Sequence, residues 1–257
     1  MKVGILAGGL GTRLSEETSV RPKPMVEIGG KPILWHIMHL YASYGFKEFV
    51  IALGYKGEVI KDYFLNYRYH ARSLSINLGA GSVSFHDGTN EDWIVHLLDS
   101  GPSAETGGRI KKIAEFVGDA PFMLTYGDGV SDINIGQLLD FHRQQGKIVT
   151  VTAVRPPARF GKMLLDSSPL VTEFQEKPIR GEGWVNGGFF VLQPQVIRYI
   201  PDDHTVWERE SLNCLASERQ LAAYQHEGFW HAMDTFRDVH ELNRLWEGGS
   251  PPWKTWE

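Results

Sequence analysis

The chain has 257 residues, 42% of them hydrophobic, and a formal net charge of −5. That length supports one α/β domain with a real core, and the acidic balance excludes nucleic acid or a membrane surface as the main partner, since both need a basic field. No apolar run approaches the roughly 20 residues that span a bilayer, the N-terminus reads as a strand rather than a signal peptide, and the lone Cys214 has no internal disulfide partner, which together favour the cytoplasm.

Taken in order, the chain opens with an apolar run that empties into Gly8, Gly9, Gly11, Thr12 and Arg13, and Lys23 follows between Pro22 and Pro24. Glycines without a Cβ let several N–H groups converge on one anion. Arg13 adds a planar donor fork, and Lys23 adds a point charge on a stiffened segment. The pattern reads as a phosphate cradle. It is neither a P-loop, whose lysine comes much earlier, nor the dinucleotide fingerprint, which needs glycine where Leu14 stands.

Helical spacing of Ile33, Ile37, Leu40 and Tyr44 predicts a helix that Gly45 ends, and 47–53 reads as a buried strand. A second helix is predicted over 57–67, a hairpin or irregular insertion over 74–86 and a strand over 93–98, after which 103–109 leads into a helix through Ile110, Ile113 and Phe116 that ends near Gly118. The core strand 122–126 runs into Gly127-Asp128-Gly129, and helix 135–145 leads to strand 148–154. This alternation predicts a mixed, mainly parallel sheet with right-handed crossovers. From about residue 155 the strands 162–165, 170–176 and 184–192 lack good helices between them, which predicts a small β-rich, antiparallel portion. Helices near 195–200 and 208–217, strands 221–226 and 229–232, and a helix over 239–246 complete the chain.

Ligands of open α/β sheets sit beyond the carboxyl ends of the strands, where Asp128 and Asp234 both fall. Two carboxylates are enough for a nucleotide-bound Mg²⁺, although Asp234 could equally cap the helix that starts near Thr235. His36 and His39 read as packing or solvated residues rather than a metal pair, Cys214 as a core residue, and the tryptophan-rich tail 246–256 as a packing or subunit-contact segment. Thr205-Val206-Trp207-Glu208 is weighed equally as a sugar-site neighbour and as plain structure.

The combination G-G-L-G-T-R-L with R-P-K-P-M-V-E-I-G-G-K-P-I-L resembles the signature of the sugar-1-phosphate nucleotidylyltransferases. Later segments, T-G-G-R at 106–109, T-Y-G-D-G at 125–129, and the motif around Met233-Asp234-Thr235, extend the resemblance over the whole chain. It implies a Rossmann-like, three-layer fold in a single domain, with a nucleotide-binding part over 1–154, a sugar-phosphate part over 155–235, and a C-terminal helix and tail over 236–257. It implies CTP and glucose 1-phosphate as substrates, with other nucleotides and a catalytically silent binding subunit as alternatives, and Mg²⁺ on Asp128 and Asp234. Leu6, Ala7, Gly8, Gly9, Leu10, Gly11, Thr12 and Arg13 are then the nucleotide cradle, joined by Lys23, by the backbone near Ala104, and by Arg109 as the reader of the base. Gly161, Glu176, Lys177 and Asn186 are implied for the sugar phosphate, Arg13, Lys23 and Asp128 for catalysis, and a homo-oligomer, specifically a hexamer, for the assembly.

Overall fold

The computed structural model of the chain describes residues 1–86, 91–156, 162–165, 171–175 and 183–256. A seven-stranded sheet forms its centre: β1 (Val3–Ala7), β2 (Glu48–Leu53), β3 (Ile94–Asp99), β4 (Phe122–Tyr126), β5 (Val149–Val154), β6 (Val185–Leu192) and β7 (Leu221–His226). The spatial order is β7-β5-β6-β4-β1-β2-β3. Within that sheet β6 alone runs antiparallel to its neighbours, so the expected mixed, mainly parallel sheet is present.

The helices that cover it are α1 (Ile33–Ser43), α2 (Gly57–Leu65), α3 (Thr106–Val117), α4 (Ile135–Gln145) and α5 (Phe236–Glu247). Strands buried on both faces read as continuous apolar runs, and the period of two divides them between two cores. Val3, Ile5, Phe49, Ile51 and Val191 face one core with residues of α1, α2, α4 and α5. Leu6, Val50, Leu124 and Phe190 face the other, with Ile110 and Ile113 of α3, Trp207 and Leu215. Gly4 permits that second packing, because a Cβ there would stand 2.9 Å from Ile113 Cγ2.

The chain runs from β1 outward to β2 and β3 and then returns to β4 on the other side of β1. A crevice opens where the connections diverge, at the carboxyl ends of β1 and β4. A short ribbon also forms there: Gly129–Ser131, too brief to show a period in the sequence, pairs antiparallel with Trp230–Ala232.

Most other elements lie near their expected places, including the hairpin of Leu74–Asn77 with Ser82–Phe85 and the antiparallel pair Lys162–Leu165 with Val171–Gln175. The expected helix over 208–217 is instead a π-helical turn, Trp207–Ser211, followed by an α-helix, Leu212–Ser217. Cys214 is exposed rather than in the core. Leu215 takes the buried side of that turn, and one residue earlier on a helix points about 100° away, so the thiol reaches Glu218 at 3.5 Å. Among the described residues no helix is long and apolar enough to cross a membrane.

Candidate active site

Beyond β1 the backbone enters a loop in which Gly11 takes φ +61°, a conformation that suits glycine. Thr18 fixes it by donating its hydroxyl to the carbonyls of Gly11 and Leu14, at 3.1 and 3.0 Å. Gly8 is held from two sides: its carbonyl accepts from Tyr55 N at 3.3 Å and from Arg109 Nη2 at 3.0 Å. A Cβ on Gly8 would come within 2.4 Å of Arg109 Nε, so the glycine is what lets the guanidinium lie along the loop. Arg109 is 7% exposed, and its Nε has no hydrogen-bond partner within the described structure. Burial lowers its pKa, with Glu105 opposing.

Lys23 sits in a single 3-10 turn, Lys23–Met25, with Pro22 at its N-cap and Pro24 inside it. Its ammonium donates to Asp128 Oδ2 at 2.6 Å and to Asp234 Oδ1 at 2.7 Å, and Arg13 Nη1 lies 3.2 Å from Asp234 Oδ2. Burial alone lowers the pKa of Lys23, but the ion pairs and hydrogen bonds with Asp128 and Asp234 outweigh it and leave the value raised. The lysine is therefore a cation throughout the neutral range.

The short ribbon explains why two aspartates 106 positions apart meet. Gly129 pairs with Ala232, and Met233 N donates to the carbonyl of Asp128 at 2.8 Å, so Asp128 and Asp234 leave the same end of the ribbon. Asp234 is not the cap of α5. Thr235 is the N-cap and forms a reciprocal capping box with Asp238, so the carboxylate of Asp234 is free to face Lys23 and Arg13.

Two cavities adjoin at this cluster. One, of about 310 Å³, is lined by the β1 loop with Arg13, Lys23, Thr106, Arg109, Tyr126 and both aspartates. The other, of about 230 Å³, is lined by Asn186, Gly187, Gly188, Trp230 and again Tyr126, Asp128 and Asp234. Of the expected cradle, Leu6, Ala7, Gly8, Gly9, Gly11, Thr12 and Arg13 line the first cavity, whereas Leu10 points out at 61% exposure and Ala104 is buried and does not line it. Thr106 stands at the wall instead of Ala104. Asn186 lies in the second cavity, its Oδ1 accepting from Gly188 N at 2.8 Å. Gly161, Glu176 and Lys177 lie outside the described residues.

Tyr126 separates the cavities and Trp230 Nε1 donates to the Gly187 carbonyl at 2.7 Å, neither of which was singled out from the sequence, whereas Glu208, weighed there as a sugar-site neighbour, accepts from Tyr126 and Thr106 behind the walls. Tyr126 was readable as the residue before Gly127-Asp128, but the contacts of Glu208 come from 82 and 102 positions away and leave no local signal. The glycines of T-G-G-R have a packing role. A Cβ on Gly107 or Gly108 would stand 2.5 Å from the carbonyl oxygen of Thr205 or Asp203, so these glycines admit neighbouring backbone.

The family model described as "Nucleotidyl transferase" matches residues 2–249. The chain belongs to the nucleotidyl transferase family. As such it is 54% identical to the glucose-1-phosphate cytidylyltransferase of Salmonella typhi, with all of both chains covered. It is 45% identical to a probable glucose-1-phosphate cytidylyltransferase of Bacillus subtilis, again over all of both chains. The crystal structure of HddC from Yersinia pseudotuberculosis shares the fold, with a TM-score of 0.69 at 23% identity, over 95% of this chain and 99% of that one.

Proposed function

We propose that this nucleotidyl transferase makes CDP-glucose and pyrophosphate from CTP and α-D-glucose 1-phosphate. One observation carries the reading: two cavities share a wall at which Lys23 stands between Asp128 and Asp234. A site for joining two anions needs two compartments and a cation where they meet. The 54% identity to a glucose-1-phosphate cytidylyltransferase over its full length supports the choice of substrates.

In the proposed reaction a phosphate oxygen of the sugar phosphate attacks the α-phosphorus of CTP in line. The bond from that phosphorus to the oxygen bridging to the β-phosphate breaks, and pyrophosphate leaves with the electron pair. No side chain need act as a nucleophile, so the task of the protein is to position two anions and neutralise charge as it shifts. Lys23 holds the α-phosphate against the incoming phosphate, and Arg13 with the N–H groups of the β1 loop grips the departing pyrophosphate. Thr106 and Arg109 receive the base, and Asn186 with Glu176, Gly161 and Lys177 receives the sugar phosphate.

Asp128 and Asp234 fit Mg²⁺, because they already converge on one cation, Lys23 Nζ, and a nucleotide-bound Mg²⁺ takes one or two carboxylates with phosphate oxygens and waters. When bound, the ion would supply neutralisation of the phosphate charge. The family resemblance further supports a homo-oligomer, with a hexamer as the specific expectation, and a cytoplasmic setting.

Pyrophosphate release with glucose 1-phosphate and Mg²⁺, measured for CTP, UTP, dTTP, ATP and GTP, tests the reading. CTP is expected to lead by about 10²-fold or more in kcat/KM. A lead for another nucleotide overturns the choice of base, and binding without turnover for all five points to a silent binding subunit.

A further inference from the structure

Tyr126 belongs to both cavities, Thr106 to the nucleotide cavity alone, and Asn186 to the sugar cavity alone. One carboxylate connects them. Glu208 Oε1 accepts from Tyr126 Oη at 2.6 Å, and Glu208 Oε2 accepts from Thr106 Oγ1, also at 2.6 Å. The chain of hydrogen bonds extends on both sides, since Asn186 Nδ2 donates to Tyr126 Oη at 3.2 Å and Trp207 N donates to Thr106 Oγ1 at 3.0 Å.

We propose that Glu208 is a positioning residue that sets the geometry of both substrate cavities at once, by accepting Thr106 with one carboxylate oxygen and Tyr126 with the other. The inference rests on the reaction proposed above and adds a residue to it.

The polarity of the network is what makes the carboxylate informative. An ionised carboxylate accepts and does not donate, so both hydroxyls must turn their hydrogens toward it. That leaves Tyr126 Oη to accept from Asn186, which fixes the amide facing the sugar cavity. It also leaves Thr106 Oγ1 to accept from Trp207 N. Burial first, and Glu208 second, push the phenol of Tyr126 up, so it remains an O–H donor across the neutral range.

The backbone around Glu208 is shaped to this end. Glu105 N donates to Asp203 O at 2.8 Å and Gly107 N donates to Thr205 O at 2.9 Å, which fastens the segment before Glu208 to the start of α3. Gly107 and Gly108 allow the two backbones to approach. Glu208 then lies in the π-helical turn Trp207–Ser211, a geometry that inserts an extra residue per turn and recurs at functional sites. Trp207, fully buried, anchors the turn against Phe190, whose ring in turn meets Tyr126 edge-on at 5.9 Å between centroids.

Glu208→Gln in the full chain tests the role. Glutamine keeps the size but presents one acceptor and one donor group, so one of the two hydroxyls must reverse. The expected result is a folded protein, checked by thermal melting, with KM raised for both CTP and glucose 1-phosphate and kcat/KM lowered about tenfold. The Tyr126→Phe and Glu208→Gln double variant should be no worse than the poorer single variant within about twofold, because both break one network. Unchanged KM values in a folded Glu208→Gln, a change confined to one substrate, or multiplicative losses in the double variant each overturn the proposal. Should Glu208→Gln fail to fold, Thr106→Val decides. It removes a hydroxyl from the nucleotide cavity only, yet must raise KM for glucose 1-phosphate about threefold at saturating CTP, and no rise overturns the proposal. Wild-type turnover in the same assay keeps the two levels apart: an inactive wild type sinks the assigned reaction, and an active wild type with an unaffected variant sinks the positioning role alone.

Discussion

Two regions of the molecule place polar groups in poorly solvated surroundings, and they do so by opposite means. At the cavities, Lys23 stays charged because Asp128 and Asp234 surround it. Beneath the C-terminal tail, His36 is fully buried among Trp35, Trp246, Trp253 and Trp256, and it loses its charge instead. Burial there lowers its pKa to about 4. The neutral ring is paired on both sides, with Nε2 donating to the Ile28 carbonyl at 2.9 Å and Nδ1 accepting from Trp253 Nε1 at 3.4 Å.

The difference separates what can exchange from what cannot. In the proposed reaction, entering phosphates compete with the aspartates for Lys23, since both offer anionic oxygens as acceptors. Nothing that enters from solvent replaces the contacts of His36. The two regions are nevertheless joined, because the residues after Lys23 form the ribbon Glu27–Ile28 with Lys31–Pro32, which the tail holds down. Gly29, at φ +59°, lies under Trp246 with no room for a Cβ, and its N–H donates to Asn243 of α5 at 2.9 Å. The helix that begins beside Asp234 therefore also grips the segment that carries Lys23.

The contrast breaks most visibly at Lys23. Lys23→Ala should lower kcat/KM for pyrophosphate release by about 10³-fold, roughly 4 kcal/mol of transition-state stabilisation, with a melting curve close to wild type. Near-normal turnover would remove Lys23 from the mechanism. Trp253→Ala should do the reverse, costing roughly 3–5 kcal/mol of stability in urea titration because a fully buried indole is lost, with turnover per folded molecule retained. Lost turnover at undiminished stability would show the tail acting directly on the chemistry.

Acid should act on the region beneath the tail. Above about pH 6.5 His36 is neutral both folded and unfolded, but between about 6.5 and 4 the unfolded chain takes up a proton that the folded chain refuses. Stability should fall as pH falls through that window, by roughly 3 kcal/mol in all, with His39, whose pKa burial also lowers to about 4, adding in the same direction. Asp238, whose pKa the Thr235 hydrogen bonds depress against the effect of burial, loses its contribution only at lower pH. Urea titrations across this range should show a slope that His36→Gln reduces, and a flat profile would contradict the buried neutral ring. The smallest effect is expected at Thr235→Ala, about 1 kcal/mol of stability from the lost cap, with Asp234 still paired to Lys23.

Much of the fold was legible because its determinants are local. Runs such as Phe122–Tyr126 and the helical spacing of Ile135–Gln145 carry their own period, and both elements lie where it predicts. The first cavity's loop was legible because its glycines and cations, Gly8, Gly9, Gly11, Arg13 and Lys23, lie close together in sequence, and all of them line that cavity. What escaped depends on partners far away. Asp234 could be read as a helix cap until Thr235 and Asp238 are seen to form the box, and the three-residue ribbon that brings Asp128 to Asp234 is too short to announce itself. Cys214 was expected inside because no partner histidine or Cys-x-x-Cys accompanies it, but its side of a six-residue helix is decided by Leu215. The reason for the glycines at 107 and 108 was equally hidden, because in the structure they meet the backbone of Thr205 and Asp203, far along the chain.

The most direct test of two cavities meeting at one lysine is a crystal structure of the protein with CDP-glucose and Mg²⁺. The prediction places cytosine beside Thr106 and Arg109, glucose beside Asn186 and Trp230, and the diphosphate against Lys23. A product lying the other way round, or with its diphosphate out of reach of Lys23, would contradict it.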